Sequence, residues 1–82
     1  MGSNGAVLIT ILPNPVKELL TINVYGTQGG EIEISDVSGR ITFTAKVVGS
    51  LARVDVSGLS AGTYFVRYVN EILSKTITFT KW

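Results

Sequence analysis

Six carboxylates carry what acid–base chemistry this 82-residue chain can offer: Glu18, Glu31, Glu33, Asp36, Asp55 and Glu71. Histidine and cysteine are absent, which removes the commonest general base, the most reactive nucleophile and thiolate metal ligands. Glu31 and Glu33 share one strand face in "EIEIS" (31–35), where alternation makes them a solvated stripe. No pair has the contrasting surroundings that would separate two carboxyl pKa values for acid and base roles. Oxygen-ligated metal needs clustered ligands, and "DVSG" (36–39) lacks the spacing of a calcium loop. Gly29-Gly30 has no helix after it and so makes no phosphate cradle. The formal charge is +1, with seven basic residues interspersed among the six acids. That balance offers no footprint for nucleic acid or an anionic membrane. The expectation is a non-catalytic chain without metal or cofactor.

The elements that would position these groups are strands. "LLTINV" (19–24) sets Leu20, Ile22 and Val24 against Thr21 and Asn23, and "EIEIS" sets Ile32 and Ile34 against its glutamates. "ITFTAK" (41–46) alternates Ile41, Phe43 and Ala45 with Thr42, Thr44 and Lys46. "RVDV" (53–56), "TYFVRYV" (63–69) and "KTITFTK" (75–81) keep the same period of two, and "AVLITIL" (6–12) adds a first strand. β-Branched and aromatic residues fill these runs, as a pleated, half-buried surface prefers. Gly-, Ser-, Asn- and Asp-rich turns separate them. About seven short strands at 8–12-residue spacing predict an all-β fold, an immunoglobulin-like antiparallel β-sandwich. Hydrophobic residues make up 45% of the chain, enough for the core of one small domain. No apolar run approaches the roughly 20 residues of a membrane helix. Met1-Gly2-Ser3-Asn4-Gly5 lacks the basic start and apolar run of a signal peptide. Residues 1–6 read as a cloning remnant or linker end, and 7–82 as a domain cut from a longer protein.

Three pieces of punctuation stand out. Both prolines flank one asparagine, Pro13-Asn14-Pro15. Neither has an N–H, and Pro15 holds Asn14 away from helical backbone. A stiff corner follows, able to lead from one sheet edge to the other, with the Asn14 amide bonding backbone that the turn leaves unpaired. In "DVSGR" (36–40) the Asp36 carboxylate caps a tight hairpin, Gly39 takes positive φ and Arg40 restarts a strand. In "GLSAGTYFVR" (58–67) the spacing of Leu59, Gly62 and Tyr64 predicts a tyrosine corner, the phenol bonding upstream backbone.

This order of motifs, closed by "KTITFTKW" (75–82), resembles the C-terminal sorting domain of the Bacteroidetes type IX, or Por, secretion system, over roughly residues 7–82. Pro13, Asn14 and Pro15 match the first family motif. Asp36, Gly39 and Arg40 match the second, Gly62, Tyr64 and Val66 the third, and Lys75 and Lys81 the basic positions of the last strand. Trp82 departs from the polar or basic final residue of the family pattern. The resemblance implies a delivery signal joined to an N-terminal cargo domain of the same precursor. The cargo would cross the periplasm and be recognised by an outer-membrane translocon. A cell-surface sortase would then remove the signal, at or before the first strand, leaving the cargo at the surface or secreted.

The residues suggest how such a signal is read. "ITFT" occurs at 41–44 and 77–80, giving two threonine rows suited to exposed strand faces. One of those strands should lie at a sheet edge and dock by strand addition. Open edges also allow two copies to pair as a homodimer. The alternative is a fibronectin-like or carbohydrate-binding accessory module of a secreted hydrolase. It would gather exposed aromatics, drawn from Tyr25, Phe65, Tyr68 and Trp82, on one face. A spacer without a partner is the third reading.

Overall fold

The computed structural model describes residues 7–82, so the assignment of residues 1–6 lies outside the described residues. Seven strands form in chain order: β1 (Leu8–Leu12), β2 (Leu19–Tyr25), β3 (Glu31–Asp36), β4 (Ile41–Lys46), β5 (Leu51–Asp55), β6 (Gly62–Val69) and β7 (Ser74–Lys81). All seven expected strands are present, with ends shifted by a residue or two. The largest change is β5, which starts at Leu51 because Leu51 and Ala52 continue the pairing with Asn23 and Ile22.

Two antiparallel sheets result, one ordered β1-β2-β5 and the other β4-β3-β6-β7. The chain is thus an all-β sandwich. In the constant-type immunoglobulin arrangement the fourth strand lies beside the fifth; here β4 joins the sheet of β3, β6 and β7.

The alternation read from the sequence puts the core where it was expected. Leu20, Ile22 and Val24 of β2, Ile32 and Ile34 of β3, Val66 and Tyr68 of β6, and Phe79 of β7 are buried between the sheets. Burying ten large side chains nearly completely is the main favourable contribution in so small a domain. Tyr68 also carries a hydroxyl inward and donates it to the Gly29 carbonyl at 2.7 Å. Gly30 beside it has φ +95°, and a Cβ there would stand 2.7 Å from the Tyr68 ring. Only glycine meets both conditions.

One strand departs from simple alternation. A bulge between Ile34 and Ser35 pairs Ile34 with Phe43 but Ser35 with Ile41. Thr42 is the extra residue, and its hydroxyl donates to the Ile34 carbonyl at 3.0 Å. Ile41 therefore leaves the row of Phe43 and Ala45. It joins the outer face beside Ser35 and Phe65, 53% exposed.

Candidate functional site: the β7 edge and the end of the sandwich that holds it

The Pro13-Asn14-Pro15 corner finds its partner far away in sequence. The Asn14 Oδ1 accepts the Thr80 N–H at 2.9 Å, across 66 positions. Val16 N–H then donates to the Thr80 carbonyl, and Trp82 N–H donates to the Val16 carbonyl, both at 2.9 Å. Val16 forms a parallel bridge with Lys81 and is fully buried. Residues 14–16 thus act as a fragment of strand laid along the last turn of β7, with the Asn14 side chain in place of a main-chain carbonyl. Both X–Pro peptide bonds are cis. The corner does not carry the chain from one sheet edge to the other as the sequence suggested. β1 and β2 remain neighbours, and residues 13–18 make an excursion to the other sheet and return. Nor does the Asn14 amide serve its own turn, because the unpaired donor it satisfies belongs to an edge strand.

The hairpin of β3 and β4 is built as expected. Asp36 Oδ1 accepts from Ser38 Oγ at 2.6 Å, Ser38 N–H at 2.9 Å and Arg40 N–H at 3.1 Å. Gly39 has φ +90° and donates its N–H to the Asp36 carbonyl at 2.9 Å. The Arg40 guanidinium stands 3.5 Å from Asp36 Oδ2. The Ser38 hydroxyl lowers the Asp36 pKa most, against an opposing desolvation that outweighs any one of the smaller contributions from the Arg40 and Ser38 N–H groups and the Arg40 charge. Sequence reasoning missed that the device occurs twice, although "DVSG" stands at both 36–39 and 55–58. Asp55 Oδ1 accepts the Ser57 N–H at 2.9 Å, and hydrogen bonds from Ser57 lower its pKa as well.

The tyrosine corner is present: Tyr64 Oη donates to the Ser60 carbonyl at 2.7 Å. Its ring stacks on Phe79, centroids 5.6 Å apart and planes 20° from parallel. Tyr64 pairs with Asp36 on one side and Phe79 on the other, and Gly62 pairs with Lys81. Val66 is fully buried and pairs with Ile77.

The two lysines of the last strand do not continue its threonine row. Lys75 and Lys81 fall in step with Ile77 and Phe79, so both sit on the inner row, one at each end of β7. Lys81 is buried and donates to the Trp82 carbonyl at 2.8 Å. Lys75 is exposed and donates to the Val7 carbonyl at 2.7 Å, reaching the start of β1 in the other sheet.

The motif residues therefore converge. Asn14, Gly62, Tyr64 and Val66 all bond to or pair directly with β7, Lys75 and Lys81 lie in it, and Asp36 is one strand removed. β7 itself is an edge strand, and so is β4. In an antiparallel ladder alternate residues direct N–H and C=O toward the partner and the rest direct them away. Thr80 belongs to the outward set, which residues 14–16 occupy. Thr76 and Thr78 share its phase, and no described residue bonds their main-chain groups. Their side chains are exposed on the outer face.

The aromatics do not assemble into a platform. Tyr68 is buried, Tyr25 lies on the outer face of the three-stranded sheet, and Phe65 lies on the outer face of the four-stranded one. Trp82, 64% exposed, lines a groove with Pro13, Pro15, Lys17, Glu18 and Leu19. Among the described residues no three carboxylates come together as metal ligands. Among the described residues no helix is long and apolar enough to cross a membrane.

A comparison with curated proteins finds no match to this chain. A family model described as the secretion system C-terminal sorting domain matches residues 10–81, which includes every motif residue named above. The chain belongs to that family, the C-terminal sorting signals that direct cargo to type IX secretion, and so to the cell surface or beyond.

Proposed function

We propose that the domain is read through the open edge of β7 by the outer-membrane type IX translocon. The cargo joined to its N-terminal side crosses the periplasm first, and a cell-surface sortase removes the domain at or before β1. The observation that carries this reading is the convergence of the motif residues on one strand whose middle bonds no described residue on its open side. The corner at 13–16, the tyrosine corner and the Asp36 turn hold β7 in place. Thr76 and Thr78 then offer two N–H and two C=O groups to an added strand. Pro13, Asn14, Pro15, Asp36, Gly39, Arg40, Gly62, Tyr64 and Val66 act by building that end, and the docking contacts come from β7.

The accessory-module reading loses its cue, because Tyr25, Phe65 and Trp82 occupy three different surfaces. A periplasmic fluorescent reporter fused to residues 6–82, with and without 75–82, tests the proposal in a type IX-competent host. Surface or medium fluorescence only with the intact domain supports it. Retention of both fusions in the periplasm contradicts it.

A further inference from the structure

We propose that the open stretch of β7 accepts an extended segment of a partner protein that carries an apolar side chain and, two positions away, an acidic one. This rests on β7 being the docking edge and specifies what docks there. An added strand places alternate side chains beside alternate residues of β7. On the inner row those residues are Lys75 and Ile77. Ile77 is half-buried against the core, so an apolar neighbour at the edge extends the apolar layer it belongs to.

Lys75 is a cation at the open end of the same row. Its Nζ meets a carbonyl, that of Val7, and no described carboxylate lies within ion-pair distance. The ion pairs among the described residues are Arg40 with Asp36 and Arg67 with Glu33. The acid falls beside Lys75 when it lies two positions N-terminal to the apolar residue in a strand parallel to β7, or two positions C-terminal to it in an antiparallel one.

The other end is closed. Thr80 already has Asn14 and Val16 as partners, so the added strand stops short of it and is only a few residues long. A second copy of the chain offering its own β7 fits poorly, because Ser74–Lys81 contains no acid to set beside Lys75.

An amide-shift titration of the isotope-labelled chain tests this with two short synthetic peptides. One is acetyl-Thr-Asp-Thr-Val-Thr-Asp-amide, which sets an Asp beside Lys75 in either orientation, and the other replaces both Asp residues with Lys. The Asp peptide should shift Thr76 and Thr78 and bind about threefold tighter, the scale of an exposed ion pair. The preference should collapse at ~1 M salt, where screening acts over about 3 Å. It should also vanish in Lys75→Gln. Equal binding of both peptides, or a preference that survives Lys75→Gln, overturns the acidic specificity and leaves the docking edge standing. No shift at Thr76 and Thr78 with either peptide overturns the docking edge itself.

Discussion

Asn14 and Thr80 lie 66 positions apart and are joined by one 2.9 Å hydrogen bond, in which an amide oxygen stands where a neighbouring strand would place a carbonyl. An edge strand with unpaired N–H groups is a template for unwanted pairing. Here one end of that edge is closed by the chain itself. Replacing Asn14 with Ala should cost about 0.5–1 kcal/mol in denaturant unfolding, since the bond is partly solvated. The Thr80 amide should exchange markedly faster, with Thr76 and Thr78 unaffected. Asn14→Asp keeps an acceptor and should retain most of the protection. Unchanged exchange at Thr80 in Asn14→Ala would count against this role.

The tyrosine corner is open to a one-atom test. Tyr64→Phe removes the hydroxyl that the Ser60 carbonyl accepts and keeps the ring stacked on Phe79. A loss of about 1 kcal/mol is expected. Secretion of a fused reporter should persist, because Tyr64 supports β7 and does not itself face the docking edge.

Gly30 and Gly58 form a matched pair. Gly30→Ala brings a methyl against the Tyr68 ring at a positive φ, which should cost about 2 kcal/mol or more. Gly58 has neither obstacle: a methyl added there would meet nothing within 4 Å, and its φ is not positive. Gly58→Ala should therefore stay within about 0.5 kcal/mol of the parent. Thermal or urea unfolding of the two variants checks the contrast.

The two aspartate turns predict an acid limb in the stability profile. Hydrogen bonds from Ser38 and Ser57, first among the causes, lower the Asp36 and Asp55 pKa values below the ordinary 3.8. A carboxyl that ionises more readily folded than unfolded contributes stability above its unfolded pKa. That stability is lost as pH falls through the lower folded value. The parent should lose thermal stability below about pH 4 more steeply than Asp36→Asn/Asp55→Asn, which keeps the acceptor oxygens and has no charge to titrate. Parallel melting curves from pH 6 to pH 2 would contradict this.

Much of this was legible in the residues. The period of two located all seven strands, because β2, β3, β5, β6 and β7 bury one face at every second residue and β1 and β4 lean Ile9, Ile11 and Ala45 on the same core. Asp36 and Gly39 announced their turn, and Leu59, Gly62 and Tyr64 their corner, because the partners are local. What stayed hidden depends on distant pairing. Nothing near Asn14 points to Thr80. Nothing in "ITFTAK" marks Thr42 as the bulged residue that turns Ile41 outward. The charge of Lys81 suggests a flanking surface residue, but its place in step with Phe79 puts it inside. The second "DVSG" repeats the first and carries the same local cue, so the Asp55 turn was open to the same reasoning.

We propose that the secretion machinery reads the main chain at the middle of β7, whose open side bonds no described residue. The most direct measurement is surface delivery of a reporter carrying Thr78→Pro. This substitution deletes an N–H that no described residue uses and places a ring on the open edge, a position where strands tolerate proline. Thr44→Pro makes the same change on the outward phase of the β4 edge, and melting of both purified variants establishes that they fold. Thr78→Pro should abolish surface delivery and Thr44→Pro should not. Normal delivery of a folded Thr78→Pro domain would contradict it.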